Sequence, residues 1–287
     1  MAKNSQYRRF TRSTAGNIGY FTILILAGLF TVFPMFYCIL TSFKPLDELL
    51  IFPPRFFVSR PTFANYTVLP SLLGNLQIPV SRYLFNTLLI TTVTTFVSIL
   101  SGSMAAFTFS KSKIKAKNIC FTIIQMMMLY NATTLGVPQY LIFSKMGIID
   151  TYWAYILPAI PSSVNCFLMK QFMDASINDS LLEAARIDGA GVGQMYWKII
   201  MPIIKPSWMT VLLFSFQAMW SAVPGGTIFS ESLKTLPYVM SSIAAGGIAR
   251  QGSSMAITVI LMIPPIIVFL FTQSNVLETM SSSGIKE

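Results

Sequence analysis

The chain has 287 residues, of which 54% are hydrophobic and only 10% charged, and 20 Lys and Arg against 10 Asp and Glu give a net charge of +10. Soluble domains carry about a quarter of their residues as charged side chains, so too few remain here to cover a water-facing surface, and a soluble enzyme is excluded. A basic nucleic-acid binder is excluded as well, because such proteins are charge-rich. The mean hydropathy of +0.64 reads instead as an integral membrane protein.

Residues 1–12 form a tail with Lys3, Arg8, Arg9 and Arg12. The apolar run that follows is longer than the 7–15 residues or so of a secretory core and has no small-x-small cleavage site after it. It reads as an uncleaved span. Crossing the hydrocarbon core takes about 20 mostly apolar residues, and six charge-free stretches meet that length, with spans predicted at about 17–42, 83–109, 118–143, 151–170, 206–224 and 254–275. The fold class that follows is an all-α polytopic membrane protein with six transmembrane helices, a single membrane domain over 13–277 and a short tail at 278–287. The stretch from Pro61 to Ser81 is also uncharged, but Pro61, Pro70 and Pro79 would leave backbone groups unpaired in lipid, so it belongs to a loop at 44–82.

Lys and Arg set the orientation. Thirteen of the 20 fall on the side holding both termini, the four-lysine segment Lys111 to Lys117, and the segment with Lys170, Arg186, Lys198 and Lys205. That side, including the loop 174–205, is expected to be cytoplasmic, and the loops 44–82 and 225–252 external.

The loop 174–205 is the informative one. Ser180 and Glu183 have the spacing of a capping box, Leu181, Leu182, Ala184, Ala185 and Ile187 give a short helix an apolar face, and Gly189, Gly191 and Gly193 permit a tight turn. A second helical piece, 194–201, is expected to stop at Pro202. The predicted product is a helix-turn-helix hairpin held between two spans. The three glycines follow no strand and so do not make a dinucleotide fingerprint, and no phosphate-binding G-x-x-x-x-G-K-[ST] occurs, so any ATP must be bound by another chain. With no His and no Cys-x-x-Cys pair, the usual zinc and haem ligand sets cannot be assembled, and Cys38, Cys120 and Cys166 read as small apolar side chains.

Polar side chains inside spans are costly and usually face a bundle interior or a cavity. Asn131, Asn165 and Gln217, with Trp220 as an aromatic platform, are the candidates for a solute path, against the competing reading of hydrogen bonds between helices.

Glu183-Ala184-Ala185, three residues, Gly189, nine residues, then Ile199-Ile200-Met201-Pro202 resembles the EAA motif of the membrane subunits of bacterial ABC importers, with Met201 in place of the usual Leu. Ser42-Phe43-Lys44, Asn86-Thr87, Ala105-Ala106-Phe107, Asp150-Thr151 and Arg186-Ile187-Asp188-Gly189-Ala190 extend the resemblance to the carbohydrate-uptake, six-span permeases of the maltose type. It departs in lacking a proline in Ser176-Ile177-Asn178 and in having Trp220-Ser221 where Trp-Asn is common.

The resemblance implies a type I importer permease in a bacterial cell membrane. Its partners would be a second homologous permease, two cytoplasmic ATPase subunits that hold ATP and Mg, and an extracellular solute-binding protein that delivers a sugar or oligosaccharide. This chain would hold no cofactor and would not be an enzyme. Glu183, Ala184, Ala185, Arg186, Asp188, Gly189 and Pro202 would couple it to the ATPase. The alternative within the class is an importer for an amino acid, phosphate or polyamine.

Overall fold

The computed structural model describes residues 14–74, 78–129, 132–223 and 225–284. The tail 1–12, Asn131 and Lys286 lie outside them. Among the described residues every regular element is a helix.

Helix α1, Thr14–Ser42, is apolar on every side, and no side chain of its apolar window is buried within the chain. A connecting region follows with three short helices, α2 (Leu46–Leu49), α3 (Ala64–Thr67) and α4 (Leu69–Gly74). It is folded back onto the end of α1 by Asn65, whose amide donates to the carbonyls of Ser42 (2.9 Å) and Lys44 (2.7 Å).

Helix α5, Val80–Lys111, is the centre of the molecule. Its buried face is hydroxyl-rich: Thr87, Thr91, Thr94, Thr95, Ser98 and Ser103 are all buried. Several of these hydroxyls return to the carbonyl one turn back, as Thr87 does to Tyr83 (2.7 Å), which satisfies a polar group without an external partner.

The third apolar stretch is two helices, α6 (Lys117–Met127) and α7 (Gly136–Met146), the second preceded by a 3-10 turn at Ala132–Leu135 and ended by Gly147 in the left-handed region (φ 67°). The fourth is likewise two, α8 (Trp153–Ala159) and α9 (Ser163–Ser176). Pro161 supplies no amide at that break, Ser101 donates to the Ile160 carbonyl (2.7 Å), and Ser162 caps α9 by accepting from the Asn165 amide (3.3 Å).

Helix α10, Asp179–Ile187, leads to α11 (Val192–Gln194), a π-helical turn at Met195–Ile200, α12 (Met201–Ile203) and α13 (Lys205–Trp220). Helix α14 (Leu236–Ala244) and the long α15 (Gln251–Gly284) complete the chain. By length and apolarity three helices suffice to cross a membrane, Gly16–Ser42, Val80–Lys111 and Ile248–Val276, and the pair Val192–Ile203 and Lys205–Trp220 would make a fourth, bent by 79°.

Three clusters of buried apolar side chains hold the fold. One joins α5, α9, α10 and α13 around Met169, Met173, Ile200 and Val211. A second joins α4, α5, α14 and α15 around Tyr83, Leu236 and Ile257. The third joins α5, α7, α8 and Ile228. None of them takes a core residue from α1.

Candidate functional site

Helix α10 is short but firmly seated. Leu182 and Ala185, three residues apart and so on one face, are buried in the first core cluster. Burying a Leu-sized side chain contributes about 1.5–3 kcal/mol in water, which fixes a helix too short to be stable alone. Glu183, Ala184, Arg186, Ile187 and Asp188 point outward, and Ile187 is 86% exposed.

The helix ends in a Schellman motif: the Ala190 amide donates to the Ala185 carbonyl (2.9 Å) and the Gly189 amide to that of Arg186 (3.0 Å). Gly189 adopts φ +82°, a conformation that costs other residues about 1–2 kcal/mol. The start of α10 differs from the sequence expectation. Asn178 is the N-cap and makes no side-chain cap bond. The third helical position is therefore Leu181, not Glu183, and the Ser180–Glu183 capping box is not formed. A lysine that sequence reasoning left out takes its place. Lys111, the last residue of α5, donates to the Ile177 carbonyl (2.6 Å) and to Asp179 (2.8 Å). Its side chain is only 8% exposed, whereas that of Asp179 is 81% exposed. The hydrogen bond from Lys111 and its charge hold the Asp179 carboxyl below the usual carboxylate range. The one available signal was position: Lys111 is the first of the four lysines after a long apolar run.

The returning arm begins with the Gly191 amide donating to the Gln194 side chain (3.2 Å). Tyr196 is hydrogen-bonded to Ser103 of α5 (2.6 Å), and Ile200 and Ile204 are fully buried. Pro202 does not stop this arm, as the sequence suggested. It sits in the first turn of α12, where a missing amide breaks no bond. The chain turns at Ile204 instead, whose backbone (φ −84°, ψ 16°) leaves the helical region. The hairpin thus offers an outer surface on which Leu181, Ile187, Val192 and Trp197 are exposed beside Glu183, Arg186 and Asp188. Apolar anchors with a few charges suit a protein partner.

The candidates for a sugar path are dispersed. Asn165 is buried and donates to Ser98 of α5 (2.7 Å) and to Ser215 of α13 (2.9 Å), so it joins three helices. Its two partners line a cavity of about 210 Å³ with Thr94 and Ser162. Pro158, Ala159 and Met219 are shared with a second cavity of about 380 Å³, reached by Gln139, Tyr155 and Thr227. Gln217 is exposed. Trp220 is 2% exposed, stacked on Phe216 (5.5 Å, 9°), and donates its indole N–H to the Leu261 carbonyl (2.9 Å).

At the far end of α5, the segment 227–236 is held in place. The Asn86 amide donates to the Ser232 (2.8 Å) and Lys234 (2.9 Å) carbonyls, and Thr87 accepts from the Leu236 amide (2.8 Å). Asp150 accepts from the amides of Phe229 (2.9 Å) and Ser230 (2.8 Å) and from the Ser230 hydroxyl. The Ser230 bonds hold its carboxyl below the ordinary range.

The sequence profile of the family described as "binding-protein-dependent transport system inner membrane component" matches residues 98–281, which includes α10 and both arms of the hairpin. The chain belongs to that family. Relatives among these inner membrane components match along nearly their whole length. An inner membrane ABC transporter permease, YcjP of Escherichia coli, is 24% identical over 96% of this chain and 98% of its own. The arabinooligosaccharides transport permease AraQ of Bacillus subtilis is 26% identical over 91% and 93%, and the lactose transport permease LacG of Rhizobium radiobacter 23% over 93% and 96%. In structure, the fold is similar to a chain in the crystal structure of a bacterial ABC transporter involved in the import of the polysaccharide alginate, with a TM-score of 0.75, 22% identity, and coverage of 92% of this chain and 98% of that one.

Proposed function

We propose that this chain is the membrane-spanning permease subunit of an ATP-driven, binding-protein-dependent importer that moves a sugar or oligosaccharide into the cytoplasm. The family supports the transport role, and the sugar reading draws on relatives named for arabinooligosaccharides and lactose. Six spans place both termini in the cytoplasm, with the third and fourth crossings made by the broken pairs α6–α7 and α8–α9. The α10 end is then cytoplasmic and the segments 44–82 and 225–252 are external. Two ATPase subunits holding ATP and Mg sit below, a second homologous permease completes the pathway, and a binding protein delivers the solute from outside. This chain itself carries no cofactor.

The observation that carries the reading is the seat of α10. A lever needs one face fixed and the other free. Here Leu182, Ala185 and the Lys111–Asp179 pair fix one face, while Glu183, Ala184, Arg186 and Ile187 are presented outward. Small Ala184 lets a partner surface approach, and Glu183 offers it a charge. Closure of the ATPase pair then biases the permease between inward-facing and outward-facing states. On the path of the solute, Asn165 sets the spacing of α5, α9 and α13 around the hydroxyl-lined cavities, and Gln217 with Asn131 completes the set of amides.

The test is transport by the reconstituted complex with Glu183→Lys and Gly189→Asp variants. Both are expected to abolish uptake while the chain still inserts into the membrane. Normal uptake by both, with the ATPase still bound, would remove the coupling role from α10. An uptake panel of sugars, amino acids, phosphate and polyamines settles the solute class, and transport of a non-sugar alone would overturn the sugar reading.

A further inference from the structure

Two tryptophans bracket α13, and each closes a break in a helix. Pro265 lies inside α15 and has no N–H to give the Leu261 carbonyl one turn back. Trp220, the last residue of α13, supplies that bond with its indole N–H at 2.9 Å. At the other end, the axis turns by 79° between Ile203 and Lys205. Trp208 reaches back across that bend and donates its indole N–H to the Met201 carbonyl at 3.1 Å.

Between the two the chain reads Met209 to Met219 with no Gly or Pro. From Trp208 to Trp220 the helix is a stiff rod of about 18 Å at 1.5 Å per residue. Its lower half shares one apolar core with α10, because Ile204 and Val211 are buried together with Leu182 and Ala185. Its upper end meets α15 beside a cavity of about 480 Å³, lined by Trp220, Ser221, Leu261 and Pro265 among others.

We infer that Trp208 and Trp220 are positioning residues that make α13 a strut, carrying displacement of the α10 hairpin to the proline break of α15. The assignment rests on the importer reading. Motion at the hairpin reaches α13 because Trp208 ties the arm to the rod across the bend. It reaches α15 because Trp220 holds the one carbonyl that Pro265 leaves without a donor. Packed elements with two discrete arrangements transmit motion in this way.

The experiment uses the full reconstituted importer with Trp220→Phe, which keeps a ring on Phe216 and removes the donor. Solute moved per ATP hydrolysed is expected to fall about fivefold, the factor that one neutral hydrogen bond is worth, with ATP hydrolysis retained. The double variant Trp220→Phe/Pro265→Ala returns an amide to Leu261, so it recovers thermal stability but not the coupling ratio. Full recovery of that ratio by the double variant would make Trp220 a plain structural filler and overturn the proposal, as would an unchanged ratio in Trp220→Phe. A second readout needs no solute. Spin labels replacing Phe214 on α13 and Phe269 on α15, both exposed, should give a narrow distance that shifts with nucleotide in otherwise native protein and a broad, unresponsive one in Trp220→Phe. A wild-type complex that responds to nucleotide but imports nothing would overturn the importer reading while leaving the strut in place. A nucleotide-driven shift that survives in Trp220→Phe would overturn the strut alone.

Discussion

Lys111 and Asp179 form a pair in which one partner is buried and the other is in water. The lysine stem packs under α10 and its ammonium is satisfied by the Ile177 carbonyl and by Asp179. Because the folded Asp179 carboxyl titrates below its ordinary value, it contributes stability above the usual carboxylate range near 4, and this is lost as the pH falls through the lowered value. Solvent screening at so exposed a carboxylate keeps the contribution to about 1 kcal/mol or less. The protection factors of the α10 amides, taken relative to free-peptide exchange at the same pH, are therefore expected to fall on acidification below about pH 4, and Lys111→Met should remove that dependence. Protection that depends on pH equally in the variant would show that another group is responsible.

At the scale of elements, α5 and α9 approach each other closely. A Cβ added at Gly102 would lie 3.1 Å from the Asn165 Cβ, so the glycine lets the two helices meet and lets the Asn165 amide reach Ser98. Gly102→Val should overpack this contact at a cost of about 1–3 kcal/mol, seen as a lower melting temperature of the purified chain. Asn165→Leu should cost less, since hydrogen bonds between membrane helices average about 0.6 kcal/mol each. A larger loss for Asn165→Leu than for Gly102→Val would reverse this ranking of packing over polarity.

The same elements show where the sequence was legible. The glycine turn after α10 was legible, because a left-handed position is written in residue type. Its first turn was misread by register, since Asn178, Asp179 and Ser180 are all acceptable caps and only packing of Leu182 and Ala185 chooses among them. The breaks within 118–143 and 151–170 were invisible to a search for charge-free windows, which counts apolar residues and ignores whether Pro161 lets the backbone continue. Trp220 was read as a sugar platform by its residue type. Its indole bond depends on Pro265, 45 positions away, and such a pairing leaves no local pattern.

For the whole molecule, the excess of Lys and Arg on one side yields a checkable topology. Single cysteines in place of Arg186 and Arg60, in an otherwise cysteine-free chain, should be distinguished by an impermeant thiol reagent added to intact cells. Position 60 is expected to react from outside and position 186 only after the membrane is opened. The opposite pattern would invert the α10 end and leave the hairpin without access to ATP.

Helix α1 packs within the chain chiefly on α15, the first helix against the last. The two are separated by more than 200 residues of synthesis, so that contact forms only once the chain is finished. Until then α1 is held by its own chain near its end, where Phe56 stacks on Phe33 and Asn65 donates to the Ser42 carbonyl, and none of the three core clusters includes it. The order of birth therefore leaves the α15-facing side of α1 uncovered by its own chain until α15 has been made.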